Sequence, residues 1–205
     1  MALLEALSRC APSLLAVPEA VAGDLLPALA ETLAKTDGSA DSRFLALKLA
    51  CDAATPLLLE KRAAANGALA SARETTLGLM KSSLLPLCPR LLRDEDPIPL
   101  YALKLLGGAV EADEGAVSAV AALGLAPAFF EFLSLEHTNN NVHNVRLCLA
   151  LASSDAVPVE KLREYGAGGK VAAVLRYAHE NAVEPFLEPA LEMCRAVLRL
   201  SLIHI

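Results

Sequence analysis

A chain of 205 residues that is 55% apolar and 4% aromatic, with no Trp, has room for one large domain or several stacked repeats. Its Leu/Ala-rich composition favours helices over strands. A net charge of −6 argues against a surface built for nucleic acid or an anionic membrane, and no apolar run reaches the roughly 20 residues that span a bilayer.

The N-terminal M-A-L-L-E-A-L lacks the basic lead of a secretory signal. Residues 3–16 are apolar enough for a first helix, with Pro12 inside or ending it. Asp24 is placed to cap a helix over 25–35, where Pro27 falls in the first turn. The cluster T-D-G-S-A-D-S at 36–42 reads as a turn, after which Asp41 or Ser42 caps a helix over 43–53 and Pro56 breaks or kinks the chain beyond it. One or two further helices are expected over 57–82, where Lys61, Arg62, Arg73, Glu74 and Lys81 suggest solvent exposure. Ser83 or Leu84 opens the next, near Pro86 and Pro89.

Asp94–Gly107, D-E-D-P-I-P-L-Y-A-L-K-L-L-G, then joins an acidic turn and two prolines to an apolar helix. Leu100, Leu103, Leu105 and Leu106 nearly surround that helix, so most of it should be buried. Beyond it come a short helix over 113–123 ended by Gly124, a helix over 125–133 and a polar loop at His137–Asn141. A helix over 142–152 comes next, then a short one after Pro158, ended by Gly166, Gly168 and Gly169. Helices over 170–179 and 184–198 close the chain.

The order repeats. L-L-P-A-L-A-E-T-L begins at Leu25, L-L-P-L-C-P-R-L-L at Leu84, L-A-P-A-F-F-E-F-L at Leu125 and K-V-A-A-V-L-R-Y-A at Lys170, separated by 59, 41 and 45 residues. Each precedes a Leu/Ala-rich helix, and F-L-A-L-K-L at 44–49 is echoed by L-Y-A-L-K-L at 100–105. A period of about 40–47 residues with two or three helices per unit marks armadillo and HEAT arrays, whose helix pairs bury their apolar faces only by stacking. The expected fold is therefore an all-α, armadillo/HEAT-like right-handed superhelix occupying 1–199. Its four units lie near 24–56, 83–110, 124–152 and 168–198, with extra helical material at 57–82. The last six residues, L-S-L-I-H-I, are the in-frame translation of a transposase adapter end, CTGTCTCTTATACACATC. Residues 200–205 are accordingly expected to be an appended scar, and the chain a fragment interrupted near Arg199.

No residue set assembles into a catalytic constellation. Tyr165–Lys170, Y-G-A-G-G-K, lacks the spacing and the hydroxyl of a phosphate loop, and V-A-I-K, H-R-D and D-F-G are absent. His137 and His143 flank the asparagine run without a nearby third ligand, and His179 falls where a helix C-terminus favours an imidazolium. Asp94–Asp96 read as a solvated loop whose last acid caps the next helix. Cys10, Cys51, Cys88, Cys148 and Cys194 are odd in number and form no C-x-x-C, so buried free thiols of a reducing compartment are expected. No metal or cofactor is expected. Lys48 and Lys104 share one position in the A-L-K-L echo, with stems over apolar surface and amines in water. They are the candidate protein-binding residues, suited to acidic partners if both line one groove.

The run D-P-I-P-L-Y-A-L-K-L-L at Asp96–Leu106, with L-E-H-x-x-x-N at Leu135–Asn141, resembles the C-terminal helical-repeat region of Fused/Runkel-type kinases, also called the fourth unc-51-like kinase. The similarity is strongest over 83–150. It implies a scaffold or regulatory segment behind a kinase or pseudokinase domain. It also implies a cytoplasmic protein linked to microtubule structures such as cilia or the division apparatus. The family's nucleotide-binding residues have no counterparts here. Three functions are expected in turn: a non-catalytic scaffold binding partner proteins, a segment regulating or feeding an active serine/threonine kinase, or a purely structural array.

Overall fold

A computed structural model of the chain describes residues 2–9, 11–35, 37–59 and 67–203. Every element among the described residues is helical, in two compact units that divide at Asp113/Glu114. The all-α expectation holds.

The first unit opens with α1 (Ala2–Arg9) and a 3-10 turn (Ala11–Ala16), rather than the single helix expected over 3–16. Then α2 (Pro18–Ala20), a π-turn (Val21–Leu25) and α3 (Leu26–Ala34) form one bent helical run. Asp24 lies inside that run and caps nothing. A similar run recurs in α5 (Gly67–Leu79), a π-turn (Met80–Leu84) and α6 (Cys88–Leu91), with a 3-10 turn (Leu85–Leu87) inserted before α6. The L-L-P motif explains both. Pro27 and Pro86 have no N–H to offer an i−4 carbonyl, and their rings crowd it. In each case the preceding turn widens, so that Leu26 N–H reaches Val21 O and Leu85 N–H reaches Met80 O. At these two places the motif therefore marks a bulge inside a helix, not the helix start expected at Ser83 or Leu84, whereas at Pro127 it opens a helix at Ala126.

Between these runs lies α4 (Ala40–Leu59), a helix of 20 residues that absorbs Pro56 without ending. Its cap is Ser39, whose Oγ accepts from Ser42 N–H at 3.2 Å, rather than Asp41 or Ser42. After α6 comes α7 (Ile98–Ala112), which runs beside α4 in the same direction. Phe44 meets Tyr101 edge-on at 5.5 Å, Cys51 Sγ–H donates to Tyr101 O at 3.1 Å, and a Cβ at Gly108 would sit 3.9 Å from Thr55 Oγ1. Leu103, Leu105 and Leu106 are buried as expected, whereas Leu100 is 40% exposed.

The second unit contains α8 (Glu114–Ala122), α9 (Ala126–Phe132), α10 (Val142–Ala152), α11 (Val159–Glu164), α12 (Ala167–Glu180) and α13 (Glu184–Ile203). Gly124 and Gly166 adopt φ of 70° and 68°, the left-handed turn that glycine enters without penalty. Gly168 and Gly169 do not share that role. They lie in the first turn of α12, so the glycine cluster contributes one turn residue, not three. Helix α13 packs on α10 and α12 and extends through Ile203, with only the backbone described beyond Arg199.

Cations close the helix ends. The last carbonyls of a helix lack intrahelical donors. Arg90 donates to Leu33 O and Ala34 O at the end of α3. Arg73 reaches Leu58 O of α4 and Ala112 O of α7, which corrects its expected solvent exposure. Lys170 Nζ–H bonds Phe130 O at 2.6 Å near the end of α9. Lys61 and Arg62, expected in the same exposed group, lie outside the described residues.

Candidate protein-interaction site

The echo between 44–49 and 100–105 has a physical cause. Ala46, Leu47, Leu49 and Ala50 on α4 are buried, as are Ala102, Leu103, Leu105 and Leu106 on α7. The residue in the middle of each set, Lys48 or Lys104, stays half-exposed. Two buried pairs flanking one cation present the same face of each helix to the core, and the amine leaves along the edge.

The parallel alignment of α4 and α7 brings both amines to a single carboxylate. Lys48 Nζ lies 2.7 Å from Asp52 Oδ2, and Lys104 Nζ lies 3.5 Å from Asp52 Oδ1. Lys104 also stands 5.9 Å over the Tyr101 ring, within reach of a cation–π attraction. The hydrogen bond that Lys48 donates to the Asp52 carboxylate raises the pKa of Lys48 above the ordinary lysine range. Two amines share one carboxylate, beside an aromatic pair, on a half-exposed seam. The chemistry suits a carboxylate-bearing or otherwise anionic segment. Asp52 was legible as the i+4 partner of Lys48; Tyr101 and Phe44 were not, because their meeting needs the tertiary alignment. On α10 of the second unit the same pattern recurs locally, with Arg146 exposed between buried Asn144, Val145, Leu147 and Cys148.

The acids at 94–96 behave differently from the expected capping loop. Asp94 accepts from Arg43 Nε and Nη2 at 2.7 Å each, and its Oδ1 also accepts from Glu95 N–H at 2.9 Å. The Arg43 guanidinium, opposed by burial, holds the Asp94 carboxyl below the usual range. Pro97, with no side-chain bond, occupies the N-cap of α7, so Asp96 is not the cap. The Asp96–Pro97 peptide is cis. An open cavity of about 560 Å³ is lined by Arg43, Pro89, Arg90, Arg93 and Asp94.

His137 and His143 are not brought together around a ligand. The His137 Nδ1 accepts from Asn139 N–H at 3.1 Å and its ring packs on Phe132 at 4.6 Å, while His143 sits in the first turn of α10. His179 lies in the last turn of α12, as expected. Among the described residues no group of three His, Cys, Asp or Glu side chains has metal-binding geometry. Cys51, Cys88 and Cys148 are buried and free, and Cys194 is half-buried and free; Cys10 lies outside the described residues. Burial pushes the Cys88 thiol up to about 12 and raises Cys51 and Cys148 as well.

Comparison with known proteins agrees with this architecture. Residues 1–118 match the HEAT repeats of ULK4-like serine/threonine-protein kinases, and residues 125–204 match the RUNKEL ARM-repeat domain. The serine/threonine-protein kinase RUNKEL of Arabidopsis thaliana is 36% identical over 199 residues, covering 97% of this chain. The chain spans 14% of that protein's length. Among solved structures, a designed armadillo repeat protein aligns over 95% of this chain and 91% of its own at 15% identity, with a TM-score of 0.57. An engineered protein aligns over 94% of this chain and 90% of its own at 13% identity, with a TM-score of 0.55. At such identities the likeness concerns the fold alone.

Proposed function

The chain belongs to the HEAT-repeat family of ULK4-like serine/threonine-protein kinases, and from that premise we propose that it is a non-catalytic scaffold which offers the α4–α7 seam to a partner protein. The observation that carries this reading is the convergence of Lys48 and Lys104 on Asp52 beside Tyr101. Buried residues on both sides hold the two amines in place, so an acidic partner segment would meet a preorganised pair rather than two wandering lysines. The proposal retains four units near 24–56, 83–110, 124–152 and 168–198, and a cytoplasmic setting on microtubule structures, including cilia. Co-pelleting with stabilised microtubules tests it. The chain is expected in the pellet at micromolar concentration, and Lys48→Glu/Lys104→Glu is expected in the supernatant with its helical circular dichroism intact. A wild-type chain that never pellets would sink the microtubule partner; pelleting unchanged by the double substitution would sink the seam.

A second reading is favoured by the 36% identity to a serine/threonine-protein kinase. Here the segment acts in cis on an active kinase domain of a longer protein. Deleting the region from that protein would then change its phosphorylation rate in a purified system with peptide substrate. An unchanged rate would rule this reading out.

A further inference from the structure

Helix α13 carries a second apolar face that its own unit covers only in part, with Leu187 and Cys194 half-buried. Its core side, with Ala190 and Met193 buried, packs on α10 and α12. About a third of a turn away, Leu187, Leu191, Cys194 and Leu198 recur at i, i+4, i+7 and i+11, a spacing that makes one continuous stripe. Leu191 is 52% exposed and Leu198 62% exposed. The stripe is bordered on one side by charges sorted along the helix. Glu184, Glu188 and Glu192 occupy the N-terminal part of this border, Arg195 and Arg199 the C-terminal part, and all five are exposed. None of them forms an ion pair among the described residues. Within one helix this order sets like charges four residues apart, Glu on Glu and Arg on Arg, which is mildly unfavourable.

We propose that this stripe is a self-association surface that pairs antiparallel with the same stripe of a second copy of the chain. A two-fold axis across the helix brings the charged border of one copy against the same border of the other, running in the opposite direction. Glu184 and Glu188 then face Arg199 and Arg195 of the second copy, while the leucines interdigitate. A parallel pair would instead set this border against the opposite, uncharged flank of the stripe, which carries Val183, Ala190 and Val197, so only the antiparallel arrangement brings the acids to the bases. The macrodipole of α13 also favours acids first and bases last; it supplies no reason for the exposed leucines beside them. A single helical stripe buries less than the roughly 800 Å² per partner of a standard interface, so the pairing is weak and concentration-dependent. The surface uses no residue beyond Arg199.

Sedimentation equilibrium over a concentration series tests the proposal. The wild-type chain is expected to pass from one copy to two. Leu191→Glu/Leu198→Glu is expected to stay at one copy with unchanged circular dichroism, since both positions face solvent in the single chain. A charge-swap pair controls for simple loss of apolar surface. Arg195→Glu/Arg199→Glu and Glu184→Arg/Glu188→Arg should each self-associate at least tenfold more weakly than wild type, and should associate with each other when mixed. A wild-type chain that remains single through several hundred micromolar overturns the proposal. So does a dimer that survives the leucine substitutions, or a mixture of the two charge variants that fails to associate.

Discussion

Replacing Asp94 by Ala should be among the most damaging single changes in the first unit. The Arg43 and Asp94 side chains are 18% and 10% exposed, and two hydrogen bonds of 2.7 Å join them. Charge-assisted hydrogen bonds contribute about 1.5–3 kcal/mol each, and stranding one member of a buried pair costs about 3–5 kcal/mol. Both partners retain some contact with water, which places the expected loss near the lower end, about 3 kcal/mol. With a urea dependence of about 2–3 kcal/mol per molar for a chain of this size, the unfolding midpoint should fall by roughly 1 M. Arg43→Met with Asp94→Ala completes a double-mutant cycle, and the coupling is expected at about 2 kcal/mol. The pH dependence has a definite sign. The folded-state pKa of Asp94 is depressed. Its contribution is therefore complete above the ordinary aspartate pKa of about 3.9 and disappears as pH falls through the lower folded value. The cost of Asp94→Ala should shrink in that acid range and nowhere near neutrality, because Arg43 stays charged throughout. A loss under about 0.5 kcal/mol, a coupling near zero, or a cost that does not vary with acid would refute the reasoning.

Asn141 Oδ1 accepts from His143 N–H at 3.0 Å and Asn144 N–H at 3.2 Å, so Asn141→Ala should cost about 1 kcal/mol by urea unfolding. Thr76 is fully buried and its hydroxyl has no partner among the described residues; Thr76→Val keeps the shape, removes the orphan, and should be neutral or stabilising by about 1 kcal/mol. Two glycines of one cluster should respond with opposite signs. Gly166→Ala enters a left-handed turn and should lose about 1 kcal/mol, whereas Gly169→Ala, in a helix with open space around it, should gain about 0.5–1 kcal/mol. A thiol reagent at pH 8 should label Cys194 slowly in the native chain and reach Cys51, Cys88 and Cys148 only on unfolding, as counted by mass spectrometry.

Local chemistry was enough to place most helices. Gly124 and Gly166 end elements because only glycine enters their turns freely, and α10 runs from Val142 to Ala152 because Asn141 caps it and an apolar face lies beyond the cap. The A-L-K-L echo also carried its own geometry: two buried pairs around one lysine mean the same helix face in both places. Periodicity is a one-dimensional property, and it survives into the fold because each helix meets its neighbours with a fixed face.

The chain order misleads where two distant segments compete for one residue. The acids at 94–96 read as a capping loop, yet Asp94 is taken by Arg43, 51 residues away. Arg73 reads as solvated, yet it closes the ends of α4 and α7. Leu100 reads as core, yet it stays 40% exposed. The composition and repeat determined by themselves that this protein is an all-α repeat array, because burying Leu/Ala faces at that spacing has few other solutions. Only the tertiary structure decided which charges meet. Ion pairs and helix-end contacts depend on distances between elements that the spacing of residues along the chain does not encode.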